Sequence, residues 1–70
     1  MPTLRRLLDD AGITASELSR LSNVDYRTTK KAIEGSGPVK RVKVLAFLRV
    51  LNQHIGSAYK PEDIEGTQIQ

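Results

Sequence analysis

The chain of 70 residues has no cysteine and no tryptophan, with one phenylalanine, two tyrosines, three prolines and one histidine. Without cysteine there is no disulfide framework and no thiolate metal site, and with them goes any sign of a secreted, bridge-stapled scaffold. No apolar run approaches the roughly 20 residues that a membrane span needs. Met1-Pro2-Thr3 leads straight into a polar amphipathic segment, which predicts no signal peptide. A glycine-rich phosphate loop is missing. His54 stands alone after an apolar stretch, where a cation near a helix C-terminus suffices to explain it. No group of His, Cys, Asp or Glu has the spacing of metal ligands. The adjacent pairs Asp9-Asp10 and Glu62-Asp63 send their side chains apart, which suits them poorly to coupled acid–base work. These absences argue against an enzyme, a metal, a cofactor, a small-molecule ligand and a membrane partner. A cytoplasmic protein of one domain is the expectation.

Charge is present, and unevenly. The net value of +3 is modest. From Tyr26 to Lys43, however, six cations (Arg27, Lys30, Lys31, Lys40, Arg41 and Lys43) face one anion, Glu34. From Val50 to Gln70 there is only Lys60 against Glu62, Asp63 and Glu65. A basic middle and a mildly acidic tail point to one polyanion-binding face.

The apolar periodicity predicts helices. Leu4, Leu7, Leu8 and Ala11 follow the helical period after a Thr3 cap, and Gly12 closes that segment. Thr14-Ala15-Ser16-Glu17 is a capping box, opening a second helix that buries Leu18 and Leu21. Ser22-Asn23-Val24 is a tight turn, with Asn23 suited to the left-handed conformation and Val24 to the core. Asp25 caps a third helix and Gly35 ends it. Ser36-Gly37-Pro38 connects to a fourth helix from about Val39 to His54, and Lys60-Pro61-Glu62-Asp63-Ile64 suits one further helical turn. This divides the chain into a helical unit, 1–56, and a C-terminal tail, 57–70, available as a short helix or a dimerisation segment.

Wound at about 100° per residue, the third segment places Tyr26, Arg27, Lys30, Lys31 and Glu34 on one arc. Thr28, Thr29, Ala32 and Ile33 fall on the other. A small-residue back and a basic, hydrogen-bonding front are what a major-groove reader requires. The fourth segment adds Lys40 and Arg41 in its first turn, where cations oppose the helix dipole at about 0.3–1 kcal/mol each unless an anion joins them. Val42, Val44, Leu45, Ala46, Phe47, Leu48, Val50 and Leu51 surround most of that helix's axis. A helix apolar nearly all round is covered on more than one side, here by the tail (Ile55, Tyr59, Ile64) or by a second subunit.

The order helix, helix, tight turn, basic helix, helix resembles the helix-turn-helix of the phage-repressor and Cro-like (XRE-type) regulators over roughly residues 3 to 52. Val24-Asp25-Tyr26-Arg27-Thr28-Thr29 also resembles the recognition-helix start of lac-repressor-type headpieces. Ser19 takes the place of the usual alanine at the helix crossing, Asn23 that of the usual glycine in the turn, Thr29 that of Ile or Val, and Asp25 that of Ser. The resemblance implies an all-α bundle of four to five helices that binds double-stranded DNA. It would act in transcription control, as a repressor associated with the nucleoid, and as a homodimer on an inverted repeat. The base-reading positions fall on Tyr26, Arg27, Lys30 and Lys31, with Ser16, Thr28, Lys40, Arg41 and Lys43 on the DNA backbone. A phage or mobile-element regulator fits so small a unit. Two other classes compete. A protein-interaction adaptor, antitoxin-like or anti-activator, would show an exposed apolar patch and little response to salt. An RNA module would want more than one aromatic on the basic face.

Overall fold

A computed structural model describes residues 1–70. Its helices are α1 (Leu4–Ala11), α2 (Ala15–Ser22), α3 (Tyr26–Glu34) and α4 (Arg41–Ile55). Between α3 and α4 lies a two-residue strand, β1 (Pro38–Val39), and after α4 come a single 3-10 turn, Pro61–Asp63, and a second short strand, β2 (Gln68–Ile69). No helix is long and apolar enough to cross a membrane.

Helices α1, α2 and α3 each start where a side chain satisfies an otherwise orphaned amide. Arg6 N–H donates to the Thr3 hydroxyl at 3.2 Å, and Thr28 N–H donates to the Asp25 carboxylate at 3.0 Å. Thr14 and Glu17 form the reciprocal box, each backbone amide donating to the other's side chain at 3.1 and 3.2 Å. Helix α2 ends on Asn23 in the left-handed conformation, φ 59°. The turn that follows is held by Ser19, whose hydroxyl donates to the Val24 carbonyl at 2.6 Å. A small side chain was expected there for close approach; the polar atom also fixes the turn.

The core is one cluster drawn from every helix and from the tail. Leu4, Leu7, Leu18, Ala32, Val44, Phe47, Leu48 and Leu51 are essentially sealed from solvent, with Val39 and Ile64 beside them. Thr29 is the one buried polar side chain, and its hydroxyl donates to the Asp25 carbonyl at 3.0 Å. That bond lets threonine occupy a core position where the resemblance implies an aliphatic residue.

Two sequence expectations are corrected. Leu21 is not buried: it stands 51% exposed on α2. Helix α4 begins at Arg41, because Val39 is drawn into the core as part of a strand, and it runs one residue past His54. The tail forms the further helical turn expected of it, as a 3-10 turn with Pro61 at its start. Its 3-10 turn leads Ile64 into the core, and β2 then pairs in parallel with β1, Pro38 opposite Gln68 and Val39 opposite Ile69. The tail thus covers one side of α4, while Val42 and Leu45 stay exposed on another.

Candidate nucleic-acid interface

Helix α3 buries Thr29, Ala32 and Ile33 and turns its other arc outward, as its winding predicts. Tyr26, Arg27, Lys30, Lys31, Glu34 and Ser36 line one open groove of about 390 Å³. Tyr26 is half-exposed in it, offering both a ring face and a hydroxyl. All four residues expected to read bases are therefore brought together. They are not equally available. Lys30 lies 3.6 Å from Glu34 one turn on, an exposed pair of the kind worth about 0.3–0.5 kcal/mol. Arg27 and Lys31 are in no ion pair.

A second groove, about 220 Å³, opens between α3 and the start of α4, lined by Thr28, Lys31, Lys40, Lys43 and Gln70. Lys31 borders both grooves. Its stem reaches across Gly37, where an added Cβ would stand 3.0 Å from Lys31 Cδ. A glycine at that position leaves room for the lysine to lie over the loop toward Lys40 and Lys43. None of these three lysines is in an ion pair, so three cations from α3 and the start of α4 share one concave surface.

Three residues expected on the DNA backbone fare differently. The Arg41 guanidinium is bound by the Glu62 carboxylate of the tail, the two being separated by 21 positions. This carboxylate, rather than an external anion, offsets a cation at the N-terminus of α4. The Arg41 hydrogen bond holds the Glu62 carboxyl below its usual range. The Thr28 hydroxyl donates to Asp25 Oδ1 at 2.8 Å, so in the free protein it serves the cap of α3. Hydrogen bonds from the Thr28 hydroxyl and amide, with the Lys43 charge nearby, hold the Asp25 carboxyl below its usual range. Ser16 stands exposed in the first turn of α2 and lines none of these grooves.

Lys40 completes the picture. It occupies the N-cap position of α4 with no side-chain cap, so it is a cation at the positive end of a helix dipole with no local compensation. The Arg41–Glu62 pair had no signal in the sequence, since nothing local ties a carboxylate to a cation so far away. Comparison with protein-family models, curated proteins and solved structures finds no match for this chain.

Proposed function

We propose that the chain is a sequence-specific double-stranded DNA-binding protein of the helix-turn-helix kind, acting as a transcriptional repressor. One observation carries the reading: unpaired cations from α3 and the start of α4 share a continuous solvated surface, backed by a sealed core. Helix α3 enters the major groove. Arg27 makes a bidentate contact with guanine, and Tyr26 meets a thymine methyl group or a phosphate. Lys30 exchanges its weak pair with Glu34 for a base edge. Lys31 reaches either a base or the backbone, because it borders both grooves. Lys40 and Lys43 grip phosphates and set register, with Ser16 a further contact from α2. Arg41 joins them only by giving up Glu62.

Two copies bind an inverted repeat with half-site centres about 10–10.5 bp apart. Val42 and Leu45, left exposed on α4 after the tail has docked, are the apolar surface for that pairing. The same two residues and Leu21 are what an adaptor protein would use instead, so salt is the discriminating variable. Binding to duplex DNA is expected to weaken by roughly two or more decades between 50 and 200 mM salt, through release of counterions from neutralised phosphates. A flat response, or no binding at the lower salt, would favour the adaptor.

A further inference from the structure

We propose that Thr67 and Gln68, in the C-terminal tail, are positioning residues for the outer face of α3. This inference rests on the DNA-binding reading. A helix leaves its last four carbonyls without intrahelical partners. In α3 the Lys31 carbonyl is taken by the amides of Gly35 and Ser36. The next one is claimed from far away: the Thr67 hydroxyl donates to the Ala32 carbonyl at 2.9 Å, across 35 positions. Just past the helix, the Gln68 side-chain amide donates to the Gly35 carbonyl, also at 2.9 Å. Between these two bonds the Gly66 carbonyl fills the space where a Cβ on residue 35 would sit, so the tail packs backbone to backbone against the helix end.

The tail is itself anchored away from α3. Ile64 is in the core, Glu65 N–H donates to the Pro2 carbonyl at 3.0 Å, and Gln70 N–H donates to the Val39 carbonyl at 2.8 Å. Residues 64–70 therefore form a strap that runs from the N-terminus of the chain, over the C-terminal end of α3, to the strand preceding α4. Helix α3 has nine residues and buries only three of them, two of which are Thr29 and Ala32. So small a back leaves its tilt weakly defined by apolar packing alone. The Asp25 cap and the turn fix the N-terminal end, and the strap fixes the other. Loosening the strap moves Lys30 and Lys31, in the C-terminal half, more than Arg27 in the first turn.

The test compares the unmodified chain with Thr67→Val, Thr67→Ser and Gln68→Ala. Each is measured on the duplex that the unmodified chain selects from a random pool, and on its single-base variants. Amide hydrogen exchange is followed in parallel. With Thr67→Val and Gln68→Ala, exchange is expected to quicken for Ile33 to Ser36 and to stay unchanged in α2. Affinity falls about two- to tenfold, the equivalent of one net hydrogen bond. Base preference relaxes at the positions facing Lys30 and Lys31, and it holds where Arg27 reads. Thr67→Ser, which keeps the hydroxyl, restores both affinity and preference. Unchanged exchange at the end of α3 overturns the proposal. So does unchanged affinity and preference with the strap loosened, or a loss that tracks melting temperature and leaves preference intact. An unmodified chain that binds no duplex overturns the DNA-binding reading and this role with it; binding by the unmodified chain and all variants alike overturns this role alone.

Discussion

The outer arc of α3 and the first turn of α4 carry the same kind of side chain, and the fold treats them differently. On α3 the one pair, Lys30 with Glu34, is local, exposed and weak, and Arg27 is left free. At α4 the pair is long-range: Glu62 comes from the tail to bind Arg41, while Lys40 beside it is left uncompensated. Equal cations in sequence are thus unequal in availability. Helix periodicity distinguishes inside from outside; it says nothing about which cation is already spoken for.

That contrast orders the expected effects of substitution. Arg27→Ala has the largest, a loss of about 1–3 kcal/mol on the preferred site with relaxed choice at one base pair. Competition binding against single-base variants checks it. Lys40→Ala and Lys43→Ala come next. Each weakens all sequences alike and lowers the salt slope by roughly one unit, read from affinities at several salt concentrations. Arg41→Ala costs less than Lys40→Ala, because the arginine is partly neutralised before DNA arrives. Glu62→Gln has the opposite sign: it frees Arg41, tightens binding and steepens the salt dependence. Both 41 and 62 are exposed, so thermal stability should hardly change in either variant.

The smallest effect concerns Asp25, at the start of α3. Its folded-state pKa is depressed by the Thr28 hydrogen bonds, so the stability it contributes is present above its ordinary value of 3.8 and is lost as pH falls through the lower folded value. In Asp25→Asn, melting temperature should lack that acid-side decline while the remaining pH profile is unchanged. A decline of the same size in both proteins would show that the cap's charge contributes nothing.

The residues differ in how much they disclosed. Thr3, Thr14 with Glu17, Asn23, Asp25 and Gly35 mark helix ends through chemistry that acts within four positions, and the structure places caps at each. The outward arc of α3 was legible for the same reason. Leu21 was misread because an apolar residue on an amphipathic helix is assumed to face a core, and no rule of spacing says where that core ends. The tail was the least legible. Gln68 and Ile69 pair with Pro38 and Val39 about 30 positions away. Two-residue strands have no periodicity to read. Thr67 and Gln68 are unremarkable polar residues until α3's open carbonyls lie beside them.

The most direct test of the proposed role of α3 is selection of bound sites from a random duplex pool by the unmodified chain and by Arg27→Ala, at one salt concentration and after melting curves show both folded. The expected result is an enriched inverted repeat for the unmodified chain. With Arg27→Ala the same repeat should return with one symmetry-related position degenerate in each half-site. Identical enriched sites from both proteins, with affinity uniformly lower for Arg27→Ala, would contradict it and put a different helix in the groove.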